Sequence, residues 1–229
     1  MPASLKAVIF DAGNTLLFLD HDRMAAAVGA ALGVPLDPER LVGAAGHAAR
    51  AAERARGMDR DRARVYLEAL FTGAGVPAER MTEVDDCLQR LHGENHLWCR
   101  LAAGTREALD RLRAGGLRLG VVSNSDGRVE EALIAAGLRD CFEVVLDSAL
   151  VGVEKPDPAI FRAALDALGV APGEALYVGD LYDVDVVGAR AAGMEAVLLV
   201  PDTAAPGPDC RRFTSLAALA DDLLNGGRS

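Results

Sequence analysis

Lysine is nearly missing from this chain: only Lys6 and Lys155 occur, and arginine carries the rest of the positive charge. Cysteine is sparse too. Cys87, Cys99, Cys141 and Cys210 form no CxxC pair, which argues against a disulfide framework or a zinc site and fits reduced thiols. No apolar run approaches the ~20 residues needed to cross a membrane. The opening Met-Pro-Ala-Ser leads straight into a strand, with no apolar stretch of the kind that marks a secretion signal. The expected location is the cytoplasm. Positive charge is in deficit overall, with 24 basic against 34 acidic side chains and a formal charge of −10. Nucleic acid and acidic membrane are therefore not expected partners. A small anion remains open, because a few cations and backbone amides can hold one locally.

What is present describes a globular protein of 229 residues, 51% hydrophobic and 25% charged. There is no internal repeat and no low-complexity segment. Short apolar runs at 7–10, 117–123, 144–147, 175–179 and 196–200 read as strands. After residue 100 they alternate with helical segments at 105–114, 128–136, 158–168 and 183–192, several closed by glycine. Such alternation predicts right-handed βαβ units and a parallel sheet with helices on both faces. Between the first two strands the pattern changes. Residues 20–97 hold no strand and read as four helices, roughly 22–32, 38–56, 59–74 and 78–96. The fold class is thus α/β, a doubly wound parallel sheet with an inserted α-helical domain. The core comprises 1–17 and 98–229, and the insert 18–97. Residues 201–209 read as a proline-rich loop and 215–224 as a closing amphipathic helix.

Polar residues gather where the strands end. The first strand runs into Asp11, the second into Ser123-Asn124-Ser125, and the fourth into Asp180, with Asp185 close behind. Lys155 follows the third. Parallel neighbours would bring these side chains to one edge of the sheet, where such folds bind ligands. Converging carboxylates from Asp11, Asp180 and Asp185 favour a hard cation such as Mg²⁺. Beside a lysine and a small hydroxyl they suit a phosphoryl group, with Asp11 as nucleophile. Each residue alone also has an ordinary reading. Ser123 and Ser125 can cap the helix near 128, Lys155 can be a surface lysine, and Asp183 can complement a helix N-terminus. Asp157-Pro158 reads as an N-cap with proline at the first helical position.

The stretches "VIFDAGNTL" at 8–16, "GVVSNSDG" at 120–127, "VGVEKPDPAIF" at 151–161 and "YVGDLYDVDVVGARAAGM" at 177–194 resemble the haloacid dehalogenase (HAD) superfamily, in the branch with a helical cap after the first motif. The resemblance implies a Rossmann-like core, Mg²⁺ as cofactor and a small phosphorylated molecule as substrate. It implies Asp11 as the nucleophile that becomes an aspartyl-phosphate. Ser123, with Asn124 beside it, would bind phosphoryl oxygens, and Lys155 would neutralise nucleophile and phosphate. The metal would be held by Asp11, Asp180, Asp185 and the backbone carbonyl of Gly13.

Gly13 is the departure. Phosphatases of this family usually carry Asp there, and that Asp protonates the leaving group. Losing a general acid costs about 10²–10⁴-fold in rate, a loss that substrates with good leaving groups escape. Asp20, His21 and Asp22 are candidate substitutes, with a helix N-cap as the ordinary reading of the acids. A 2-haloacid dehalogenase also lacks the acid, but the resemblance ties that branch to a missing acidic fourth motif, whereas Asp180 and Asp185 are present. A phosphonatase needs a cap lysine, and 18–97 contains none. A phosphate-binding pseudoenzyme is the non-enzymatic alternative. In the insert, the arginines at 50, 54, 56, 60, 62 and 64 alternate with Glu53, Asp59 and Asp61, which reads as a solvated, salt-bridged surface. His92 and His96, four apart, read as coincidence rather than a metal pair, and Trp98 as a packing residue.

Overall fold

Ala7–Phe10 forms β1, and all four of its side chains are fully buried. A strand buried on both faces reads as a continuous apolar run, which is why its limits are visible in the sequence. The computed structural model describes residues 5–55, 57–200 and 209–226. In chain order the strands are β1, β2 (Phe18–Leu19), β3 (Trp98–Arg100), β4 (Arg118–Ser123), β5 (Val144–Asp147), β6 (Ala175–Gly179), β7 (Glu195–Leu199) and β8 (Arg212–Phe213). The helices are α1 (His21–Leu32), α2 (Pro38–Arg54), α3 (Asp59–Gly73), α4 (Met81–Glu94), α5 (Thr105–Ala114), α6 (Val129–Ala135), α7 (Ser148–Val151), α8 (Pro158–Leu168), α9 (Val187–Ala191) and α10 (Leu216–Asn225).

Six strands make one parallel sheet in the order β5-β4-β1-β6-β7-β8. The chain leaves β1 for β4 and β5 on one side, then returns to lay β6 to β8 on the other. That reversal puts the switch point of a doubly wound sheet at β1. On one face Ala7 and Ile9 join Ile160, Phe161, Ala164 and Tyr177 in a buried apolar cluster. The five strands read from the sequence have limits within a residue of those found, β2, β3 and β8 are not among them, and α5 and α8 agree at both ends. The 183–192 segment divides into a π-helical turn, Tyr182–Val186, followed by α9.

Contacts divide the chain into two units, Met1–Phe18 with Leu101–Ser229, and Leu19–Arg100. The second is helical, with α1 to α4 around a core that includes Met24, Val28, Leu41, Leu70, Phe71 and Val84. Trp98 packs on this core. Arg23 sends its guanidinium to the carbonyls of Leu91, in the last turn of α4, and of Asn95 and His96 just beyond it, a cation at the helix C-terminus. Asp20 caps α1 by accepting from the N–H of Arg23. Within the arginine-rich stretch, Asp61 accepts from the N–H of Met58 at the start of α3. Arg56, the side chain of Glu53 and the proline-rich loop up to residue 208 lie outside the described residues. The rings of His92 and His96 stack edge to face, 4.6 Å apart. Among the described residues no helix is long and apolar enough to cross a membrane.

One capping expectation needs correction. Neither Ser123 nor Ser125 caps α6. The cap comes from Asp147, at the end of the neighbouring β5. Its carboxylate accepts from the N–H groups of Gly127 at 3.0 Å, Val129 at 3.2 Å and Ala149 at 3.0 Å. One buried carboxylate so closes the start of both α6 and α7, and an anionic acceptor outbids a serine hydroxyl there. Asp157 does cap α8, with Pro158 at the first helical position. Replacing Asp147 with Ala strands one buried donor, the N–H of Val129, at roughly 1–3 kcal/mol, while water can reach the two partly buried ones at smaller cost. Urea unfolding is expected to show a stability loss of about 2–4 kcal/mol for Asp147→Ala. Asp147→Asn, which keeps one acceptor oxygen, is expected to lose less.

Candidate active site

At the C-terminal edge of the sheet Asp11 and Asp180 directly follow β1 and β6, Ser123 ends β4, Lys155 lies in the loop beyond α7, and Asp185 in the π-helical turn. Asp11 follows β1, and its N–H donates to the carbonyl of Val178 on β6 at 2.8 Å. The chain then turns tightly. The N–H groups of Leu16 and Leu17 both donate to the Ala12 carbonyl, at 2.9 and 2.8 Å, and the N–H of Asn14 donates to Leu17 at 2.8 Å. Asn14 takes a left-handed conformation, φ +54°, which asparagine tolerates better than most side chains. Its amide reaches the carboxylate of Asp180. Gly13 sits inside this turn and bridges to Leu17.

Lys155 occupies the centre. Its Nζ donates to Asp11 Oδ1 at 2.6 Å, Asp185 Oδ1 at 2.8 Å and the Tyr177 hydroxyl at 3.0 Å. The lysine is 4% exposed, Asp11 7% and Asp185 1%. Asp185 spends its second oxygen on the N–H groups of Asp180 and Leu181, at 3.1 and 2.9 Å. It lies so close to the strand that a Cβ on Gly179 would fall 2.3 Å from its Cγ, so only glycine fits there. Asp11, Asp180 and Asp185 each offer an oxygen within 4.8 Å of the others.

Ser123 is buried at the end of β4, and its hydroxyl makes one long bond, 3.4 Å, to the Asn124 carbonyl. Asn124 also grips the lysine's backbone. Its side chain accepts from the N–H of Lys155 at 2.8 Å and donates to the Lys155 carbonyl at 3.0 Å. The amide so helps to place the lysine, and its second N–H is left to donate elsewhere. The structure thus brings Asp11, Ser123, Lys155, Asp180 and Asp185 to one edge, with Gly13 in the adjoining turn.

The charges do not balance. Three carboxylates face one ammonium. Burial pushes Asp11 up to about 7, with Lys155 opposing and Asp185 adding to the rise. Asp180 is pushed well above the usual carboxylate range by burial and by the charges of Asp11 and Asp185. Burial works against the charge on Lys155, but Asp11 and Asp185 outweigh it and the ammonium is held firmly protonated. An all-oxygen site short of positive charge is suited to a hard divalent cation.

Three residues that matter here escaped the sequence reading. Tyr177 looks like part of an apolar strand, Asn14 like a turn residue, and Asp147 like the end of a strand. Only the left-handed tolerance of asparagine next to Gly13 offered a signal.

Comparison with known proteins agrees with this geometry. Residues 5–193 match the family model of haloacid dehalogenase-like hydrolases. A phosphoserine phosphatase of Thermus thermophilus is 41% identical over 155 residues, covering 66% of this chain and 60% of that protein. The chain spans about half to three fifths of the length of the curated relatives it matches first, 51% and 60%. A HAD phosphatase from Thermococcus onnurineus superposes with a TM-score of 0.61 at 26% identity, covering 98% of this chain and 100% of that one. A 2-haloacid dehalogenase from Pseudomonas syringae superposes with a TM-score of 0.59 at 25% identity, covering 97% and 99%. With its parallel α/β core, its four motifs in order and a family match over most of its length, the chain belongs to the haloacid dehalogenase-like hydrolases.

Proposed function

We propose that this chain is a Mg²⁺-dependent phosphatase, hydrolysing a small phosphorylated metabolite through an aspartyl-phosphate at Asp11. The observation that carries this reading is the buried bridge from Lys155 to Asp11 and Asp185, with Asp180 alongside. Asp11, Asp180 and the carbonyl of Gly13 would hold Mg²⁺. Asp185, with both oxygens already engaged, would brace that set. The ion, when bound, supplies positive charge to a phosphoryl group. The 41% identity to a phosphoserine phosphatase supports the reaction class.

In this scheme a carboxylate oxygen of Asp11 attacks phosphorus, and the bond from phosphorus to the leaving oxygen breaks. Water then attacks the phosphorus of the aspartyl-phosphate, releasing inorganic phosphate and restoring Asp11. Lys155 aims Asp11 and offsets its charge, and the Ser123 hydroxyl donates to a phosphoryl oxygen. The helical segment 18–97 is assigned the part of a cap that confers specificity and excludes water. Gly13 has no carboxyl to protonate the leaving group, so acyl phosphates and other esters with good leaving groups are the preferred class.

One observation favours a second reading. Gly13 suits halide departure, which needs no proton, as in a metal-independent 2-haloacid dehalogenase. That reaction leaves Asp180 without a task, and we rank it below phosphoryl transfer. A pseudoenzyme that only binds phosphate ranks third.

Phosphate release from a panel of monoesters and acyl phosphates is expected to require Mg²⁺ and to vanish in Asp11→Asn. Chloride release from a 2-haloacid without metal would establish the dehalogenase instead. Absence of all turnover by a folded, Mg²⁺-binding protein would favour the pseudoenzyme.

Proton linkage gives an independent check. Asp11 stands at about 7 in the folded chain against 3.8 for an ordinary aspartate. Its folded form therefore holds a proton more tightly, so without metal this group lowers stability as pH rises from about 4 to about 7. Mg²⁺ needs the carboxylate ionised. The rise in melting temperature on adding Mg²⁺ is thus expected to be small at pH 6 and to grow to a plateau above about pH 7.5. A rise independent of pH would place the ion elsewhere.

Gly13→Asp tests the missing acid. Gly13 is not among the glycines with a positive φ, so its φ does not itself bar a side chain. Turnover of alkyl phosphates is expected to rise about tenfold or more, with acyl phosphates nearly unchanged. An unchanged alkyl rate would mean that another group already serves as acid.

A further inference from the structure

An ammonium group has three N–H bonds, and the three of Lys155 are all taken by Asp11, Asp185 and Tyr177. Tyr177 is the neutral member of this set. The direction of its hydrogen bonds is fixed by chemistry. Its hydroxyl lies 3.0 Å from the carbonyl oxygen of Val122, which can only accept, while the ammonium can only donate. Tyr177 therefore gives its proton to Val122 and receives one from Lys155.

The Val122 carbonyl shares a peptide plane with the N–H of Ser123. Tyr177 stands on β6 and Val122 on β4, with β1 between them. The fully buried phenol so spans three strands and ties the peptide before Ser123 to the ammonium of Lys155. Its ring is held edge-on by Phe161, centroids 4.9 Å apart. Packing alone would be served equally by phenylalanine, so the hydroxyl calls for another explanation.

We propose that Tyr177 is a positioning residue for phosphoryl transfer, whose hydroxyl sets the direction of the Lys155 ammonium and couples it to the peptide of Ser123. This rests on the phosphatase reading above. The tie itself is open to a measurement that needs no turnover, because the chain has only two lysines. Lys6 is half exposed and paired with Glu174, so the Nζ signal of Lys155 in a ¹H–¹⁵N spectrum is assigned by elimination.

The test is Tyr177→Phe, compared with the wild type in that spectrum and in steady-state kinetics with Mg²⁺ and an acyl phosphate. The Lys155 Nζ signal is expected to shift and to exchange faster with solvent. The kcat is expected to fall about tenfold or more, the worth of one hydrogen bond to a charged group, while KM changes less than about threefold. In a Lys155→Ala background, Tyr177→Phe is expected to have no further effect on kcat. A folded Tyr177→Phe protein with unchanged Lys155 signal, or with unchanged kcat, overturns the proposal. So does an equal loss of kcat in both backgrounds. Should the variant not fold, the wild-type spectrum decides: a nuclear Overhauser contact between Lys155 Nζ protons and the Tyr177 ring is expected, and its absence overturns the tie. No turnover of any phosphate by the wild type would defeat the reaction assigned above, and the spectrum would still report on the tie.

Discussion

A single ammonium group, buried among carboxylates, is the interaction on which the rest of this structure depends. Burying Lys155 would be prohibitive alone, and it is tolerated because Asp11, Asp185 and Tyr177 take its three protons. Each partner in turn depends on a strand. Asp11 is pinned to β6 through its N–H, Asp185 rests on the bare face of Gly179, and Asn124 grips the lysine backbone from both sides. The three parallel strand ends can meet because β1 lies between β4 and β6. The lysine does not neutralise the site, and the remaining negative charge is what a divalent cation with a phosphoryl ligand would answer.

Much of this was legible in the sequence, for physical reasons. Parallel strands covered on both faces appear as unbroken apolar runs, so Ala7–Phe10 and Ala175–Gly179 could be read directly. Asp157-Pro158 marked the start of α8, because proline costs nothing where the helix has no use for its N–H. The family resemblance rested on residues at strand ends, and the structure brings Asp11, Ser123, Lys155, Asp180 and Asp185 together.

What stayed hidden had no local pattern. Strands of two or three residues, such as Phe18–Leu19, Trp98–Arg100 and Arg212–Phe213, are too short for a period to show. The cap of α6 comes from Asp147, some twenty residues away, so the nearby serines misled. The grip of the Asn124 amide on the backbone of Lys155 had no local signal either. Tyr177 passed for an apolar strand residue, since only the fold reveals that its hydroxyl faces an ammonium. Long-range polar pairs of this kind are set by topology, not by neighbours in the chain.

Gly13 is where fold and chemistry part. Phosphatases and dehalogenases share this architecture, so the fold alone does not choose between them. On the reading proposed above, the choice lies with Asp180, which would serve a metal beside a phosphoryl group and has no task in halide displacement. The central claim is that Asp11 is the nucleophile toward phosphorus. Its most direct test is a single-turnover reaction with an acyl phosphate and Mg²⁺, quenched in acid and digested for peptide mass spectrometry. The account predicts a phosphoryl group on Asp11 that forms and decays during turnover and is absent in Asp11→Asn. Phosphate release with no adduct at Asp11, or with the adduct on another residue, would contradict it.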